Sequence, residues 1–71
     1  MKSQIYQAFT PQLEIYFTHK GVKFLFTGAD CDERGNTFHT IQNSETGKKS
    51  VVAHSVLADV VDFERKPILL K

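Results

Sequence analysis

The chain has 71 residues, a net charge of +1 and one cysteine, and these properties exclude several classes of protein. Its length suffices for one small domain over residues 1–71, without room for a second. The charge is too balanced to indicate a nucleic-acid-binding protein by itself. A single Cys cannot form an intramolecular disulfide, which excludes a disulfide-stapled secreted miniprotein and predicts a reducing, cytoplasmic location.

No apolar run approaches the roughly 20 residues of a membrane-spanning helix. Residues 1–12 carry one Lys but lack the continuous apolar stretch of a signal peptide. The sequence therefore predicts no membrane partner. Within the same N-terminal segment, an apolar group at residues 5–9 precedes Thr10 and Pro11. We expect this group to form a short strand or to cap one end of the fold.

The strongest pattern in the chain lies between residues 13 and 27. Apolar side chains alternate with others in two runs, at Leu13, Ile15 and Phe17 and again at Val22, Phe24 and Phe26. Alternation of β-branched and aromatic residues is typical of half-buried strands. The connection over residues 18–21 ends in Gly21, which tolerates the positive φ that tight turns require. The stretch therefore predicts a β-hairpin.

A helix over residues 10–20 is the alternative. Thr10 could cap it, Pro11 occupies the favoured first helical position, and Gly21 could end it. Residues 15–18 are mediocre helix formers, however, and the alternation continues beyond the turn. These two observations favour strands.

Residues 28–36 form a polar loop bounded by two glycines, and residues 36–42 return as a strand. Phe38 and Ile41 are three positions apart and cannot share a face of a regular strand, so we expect a β-bulge between them. The composition of residues 43–47 predicts a turn.

A fourth strand is predicted over residues 50–54. It is followed by one helical turn over residues 55–60, capped by Ser55, and by a closing strand over residues 60–64. A single helix over residues 50–63 is the alternative, disfavoured by its many Val residues. Beyond Pro67, residues 68–70 are apolar again and are expected to pair with a sheet edge or to pack on the domain.

Short strands with hairpin-length loops and at most one helical turn predict a mostly-β fold. The order and length suit a small, five-stranded, antiparallel SH3-like barrel best. This is an analogy of fold and does not carry a function.

Metal sites receive little support from the sequence. The segment over residues 30–35 begins like a calcium-binding loop, but Arg34 and Ile41 occupy positions where that loop needs oxygen ligands. Cys31 and the histidines at 19, 39 and 54 lack the paired short spacings of zinc sites. We predict a solvated acidic loop, no metal and no cofactor.

Catalysis is not expected either. Acidic neighbours of Cys31 disfavour its thiolate, and no nucleophile-elbow, phosphate-binding or dinucleotide-binding motif is present. We predict a protein that is not an enzyme.

Binding residues are predicted from the alternation and from the placement of charge. The outward face of the hairpin should carry Tyr16, Leu25 and Lys23, with His39 or Ile41 beside them on the next strand. In a meander, alternate loops lie at one end. The loops over residues 18–21 and 43–49 should then form a basic end whose lysines are Lys20, Lys23, Lys48 and Lys49, opposite an acidic end at residues 30–33.

Two functions follow as hypotheses. The first is a non-catalytic binding module that regulates, adapts or inhibits a larger protein through Tyr16 and Leu25. The second is a nucleic-acid-binding barrel that uses the basic end, with Tyr16 as a stacking group. Homo-oligomerisation through an unpaired edge strand is a third possibility.

Overall fold

The computed structural model describes residues 2–9 and 11–70. One sheet of six strands dominates it, in the order β5-β4-β3-β2-β1-β6. The elements are β1 (Tyr6–Phe9), β2 (Leu13–His19), β3 (Val22–Cys31), β4 (Thr37–Asn43), β5 (Lys49–Ala53), α1 (His54–Leu57) and β6 (Ile68–Leu70). The first five strands form an antiparallel meander, and β6 joins the free edge of β1 in parallel.

The prediction of a mostly-β fold with one helical turn is confirmed. The five-stranded SH3-like barrel is not found, because the sheet has six strands and remains open between β5 and β6 in the part of the chain that is described. The C-terminal segment accounts for this difference. It occupies the edge of β1, with Gln7 beside Leu69, and so takes the position at which β1 could close a barrel. The expected pairing of residues 68–70 with a sheet edge is thereby confirmed.

The hairpin predicted for residues 13–27 is confirmed, and the helix over residues 10–20 is wrong for the residues described there. Its turn is tighter than the four-residue loop expected. Lys20 and Gly21 form it, with φ values of 52° and 78°. Two consecutive residues with positive φ twist a hairpin in the same sense as its strands. The resulting register pairs Phe17 with Phe24 across the two strands.

The predicted bulge lies on the wrong strand. Strand β4 pairs regularly with β5 from Phe38 to Gln42, so Phe38 and Ile41 simply point to opposite faces. The register shift lies in β3, between Phe26 and Gly28. There, the extra residue Thr27 is accommodated, and the β3–β4 pairing resumes with Gly28 beside Thr40.

Strand β5 ends at Ala53 and α1 begins at His54, so the prediction of a strand followed by a helical turn is confirmed and one helix over residues 50–63 is wrong. The predicted Ser55 cap is also wrong, because Ala53 occupies the N-cap position and no side chain caps the helix. The closing strand over residues 60–64 is reduced to one parallel bridge between Val61 and Ser3. Backbone hydrogen bonds of 2.8 Å join Ser3 to Val60 and to Asp62, which ties this segment to the N-terminal segment and not to a strand of the sheet.

The core lies between one face of the sheet and residues 54–67, which form a cover over that face. Its buried side chains come from both layers: Ile5, Phe17, Ile41, Leu57 and Val61. We call the covered side of the sheet the inner face and the other side the outer face. The alternation along β2 places Phe17 on the inner face and Tyr16 on the outer face. The pattern of the hairpin sequence therefore determines which of its side chains lie in the core and which lie on the outer face.

Candidate protein-binding face

Three of the side chains on the outer face form a continuous strip across neighbouring strands. Tyr6 pairs with Tyr16, and Tyr16 pairs with Leu25. The two tyrosine rings stack, with centroids 5.4 Å apart and an angle of 23° between their planes. Ile68 extends the strip beyond Tyr6 onto β6. The described residues form no second layer over this strip, because the cover lies on the inner face.

Lys23 is held against the strip. Its Nζ lies 4.3 Å from the centroid of the Tyr16 ring, close enough for a cation–π interaction. The same Nζ lies 3.8 Å from the Oε1 of Glu14. Because both contacts are partly exposed, their contribution to stability is small. The two contacts hold the positive charge of Lys23 beside the Tyr16 ring, so this arrangement exists before a partner binds.

The two turns expected to form a basic end are neighbours in the structure. The β2–β3 and β4–β5 turns lie side by side, and the Ser44 amide donates a 3.0 Å hydrogen bond to the Lys23 carbonyl. Lys49 pairs with Gln42, and Gln42 with Leu25, so Lys49 belongs to the outer face. Lys20 and Lys48 lie in the two turns. The structure thus brings Tyr16, Leu25 and Lys23 together, while Lys49 lies two strands away from Leu25 on the same face and Lys20 and Lys48 lie in the turns.

His39 and Ile41 do not join the strip, so that expectation is wrong. The β3 bulge sets the register of β4, and both side chains point to the inner face, where Ile41 is buried. Thr40 and Gln42 occupy the outer face of β4 instead. The edge of the strip is therefore polar where an imidazole or an aliphatic group was predicted.

Asp32 organises the acidic end through hydrogen bonds within the loop. Its Oδ1 accepts bonds of 2.9 Å from the amides of Arg34 and Asn36, and its Oδ2 accepts one of 3.1 Å from the Asn36 side chain. The bonds from Asn36 are the main reason that the pKa of this carboxyl is lowered. Its oxygens therefore have a structural role in the β3–β4 turn. Within residues 2–9 and 11–70, no group of three or more His, Cys, Asp or Glu side chains could hold a metal ion.

A histidine pair on the inner face was missed by the sequence reasoning. The Nε2 of His39 lies 3.0 Å from the Nδ1 of His54, so one ring donates a hydrogen bond to the other. Phe63 stacks on His39 and also packs against His54, with centroid distances of 5.3 and 4.5 Å. Burial, and then the charge of His54, lower the pKa of His39 below 6.5. Fifteen residues separate the two histidines, so no local spacing announces the pair.

Acidification is expected to destabilise the fold through His39. The unfolded chain takes up a proton near pH 6.5, while the folded chain resists it because the pKa of His39 is lowered. The free energy of unfolding should therefore fall as the pH drops from 7 through 6.5 and level off below the folded pKa. Urea unfolding followed by circular dichroism between pH 7.5 and pH 5 measures this change. His39→Phe should flatten the dependence and His19→Gln should keep it; an equal slope in all three proteins would contradict the assignment.

An apolar groove of about 430 Å³ opens on the inner face beside the cover. Its walls are mostly aliphatic and aromatic, and they come from the N-terminal segment, from strands β2, β3 and β4, and from the cover. They consist of Ile5, Ile15, Phe26, Thr27, Gly28, Ala29, His39, Phe63 and Pro67. His39 is its one titratable side chain, so the groove has the character of an apolar contact surface.

Comparison of the chain with known protein families, curated proteins and solved structures found no match. In the described part of the chain, no helix has the length and apolar character needed to cross a membrane.

Proposed function

We propose that this protein is a non-catalytic binding module that contacts a larger protein through the outer face of its sheet. The observation that supports this proposal is the uncovered strip of Tyr6, Tyr16 and Leu25, with Lys23 fixed against it. Tyrosine is among the residues enriched in the energetically important centres of protein interfaces, and the strip carries two of them. The strip lies on paired strands, so little conformational freedom is lost when a partner binds.

The partner's surface should be apolar at its centre and acidic at one side. Tyr16 and Leu25 offer the apolar contact, while Lys23 and Lys49 share the outer face with them. Carboxylates on a partner would meet Lys49 at the β5 end of the row that contains Leu25, whereas the charge of Lys23 lies over Tyr16 and beside Glu14. Such a module regulates, adapts or inhibits by occupying a surface of its target. The exposed free thiol of Cys31 supports a cytoplasmic location for this role.

Nucleic-acid binding is the second candidate. It is supported by the adjacency of the two lysine-bearing turns and by the position of Lys23 over Tyr16. An aromatic ring beside cations can stack a base while the lysines contact phosphates. The balanced total charge favours the protein partner over this alternative.

Capture by the immobilised protein, with nuclease and at two salt concentrations, tests both candidates. A protein partner should survive nuclease and high salt and be lost with Leu25→Asp, because a charge would enter the apolar centre. A nucleic acid should be lost at high salt and with Lys48→Glu. Val56→Asp is the matched control for Leu25→Asp, since Val56 is exposed on α1, beyond the inner face. Capture that survives both Leu25→Asp and Lys48→Glu would contradict both candidates.

A further inference from the structure

The cover leaves one end of the inner face bare. Phe9 and Leu13 pair across β1 and β2, and Ile15 and Leu69 flank Gln7 on the same side of the sheet. Phe9 is 59% exposed and Leu69 is 67% exposed. We call Phe9, Leu13, Ile15 and Leu69 the inner apolar patch. Large aliphatic and aromatic side chains grouped in this way on a small protein generally mark a contact surface.

The groove adjoins this patch. Ile15 belongs to both, and Ala29 lines the groove on the strand next to Leu13. The inner face therefore offers a projecting part at Phe9 and Leu13 and a recessed part between Ala29 and Phe63. The groove is shallow and open to solvent, and its volume of about 430 Å³ leaves room for a side chain of a second molecule.

We propose that two copies of this chain associate through their inner faces, with Phe9 of each copy in the groove of the other. A two-fold interface requires a self-complementary surface, and a projection beside a recess of similar chemistry satisfies this requirement. The occupant of the groove in this proposal is a second copy, because both contacts come from residues already on the same face.

Charge and area support a second copy as the partner. The patch carries no charged side chain, so two copies meet without like-charge repulsion, and no charge on it would select a different partner. Taking about 200 Å² for a fully exposed aromatic residue and somewhat less for Leu and Ile, the patch exposes roughly 400 Å². With the groove walls added, a two-fold contact would bury roughly 1,000 Å² in total, which is near the lower bound for a specific interface.

Such a dimer would turn both outer faces away from the contact. Each copy would keep its strip of Tyr6, Tyr16 and Leu25 free, so the assembly would offer two equivalent binding faces. Two linked sites bind a multivalent target far more tightly than one site. The dimer itself does not depend on the proposed function, because the two surfaces lie on opposite sides of the sheet.

Sedimentation velocity tests the association from about 5 to about 500 µM, a range that covers the affinities expected for a small interface. The wild-type protein should pass from monomer to dimer within it. Phe9→Ala, which removes the projection, and Ala29→Phe, which fills the recess, should each weaken the dimer at least about tenfold. Both positions are exposed, so circular dichroism should show both variants folded.

Mixing the two variants gives the sharper result. One Phe9→Ala chain and one Ala29→Phe chain together retain one intact projection and one intact recess, so the mixture should form heterodimers at concentrations at which each variant alone is monomeric. Val51→Asp, at the exposed edge strand β5, should leave the dimer unchanged.

Three outcomes would overturn the proposal. The first is a wild-type protein that stays monomeric at about 500 µM, because the dissociation constant expected for the dimer is lower than that concentration. Binding of an apolar dye in the groove would not change this conclusion. The second is a dimer insensitive to both inner-face variants. Dissociation by Val51→Asp would assign the contact to edge-strand pairing instead.

Discussion

Phe17→Ala is expected to lower the free energy of unfolding by about 3–5 kcal/mol. Phe17 is 2% exposed, and its ring centroid lies 5.4 Å from that of Phe24 and 5.3 Å from that of Phe26. Truncation removes this contact area and leaves a cavity that the rigid hairpin can fill only in part. A domain of this length has about 4–10 kcal/mol of stability in total, so a large fraction of it should be lost. Urea unfolding at 25 °C, followed by circular dichroism, measures the change.

Leu13→Ala is the matched control for Phe17→Ala. Leu13 lies on the same strand and the same face, four residues earlier, but it is exposed. Its truncation should lower the free energy of unfolding by less than about 1 kcal/mol. Both variants should be measured at low micromolar concentration, so that association of two chains does not contribute. Equal losses at the two positions would contradict the placement of the core at Phe17.

The hairpin was predictable because its pattern is local. Alternation from residue 13 to residue 18 and from residue 22 to residue 27 decides which side chains share a face, and Gly21 marks the turn between them. These two facts give the pairing of Tyr16 with Leu25 and hence the centre of the candidate site. The position of Lys23 on the same face as Leu25 follows from the same alternation.

The remainder of the sheet depends on contacts between distant parts of the chain. Nothing within residues 68–70 specifies that they run parallel to β1, since that pairing is set by the path of the cover across the inner face. Ile68 reaches the outer strip only through this arrangement, and Tyr6 reaches it through the pairing of β1 with β2. The sequence therefore predicts the centre of the strip and misses its extension.

The register shift in β3 also determines which side chains of β4 lie on each face of the sheet. The orientation of His39 follows from the bulge between Phe26 and Gly28, which no Pro or unusual spacing in β4 reveals. The same shift places His39 within reach of His54 and Phe63 on the cover. Because the bulge was predicted in β4 and lies in β3, His39 was assigned to the outer face, whereas it belongs to a cluster on the inner face.

A single substitution in the cover should also unfold the protein. Leu57 is 4% exposed and is the one buried residue of α1, so Leu57→Asp places a carboxylate inside the core. We expect a loss above about 4 kcal/mol, because the charged group loses its hydration and the apolar contact disappears. Loss of the cover would leave Phe17 and Ile41 without the layer that buries them, so the variant should show the circular dichroism of an unfolded chain and no cooperative urea transition.

Val56→Asp provides the comparison one residue away. Val56 is 58% exposed on the same helical turn, so the same chemical change should alter the free energy of unfolding by no more than about 0.5 kcal/mol. The pair separates burial from helix propensity, because both substitutions replace an aliphatic residue of α1 by Asp. A Leu57→Asp protein that stays folded with a cooperative urea transition would mean that the sheet folds without its cover, and the core would then have to lie elsewhere than between β2, β4 and α1.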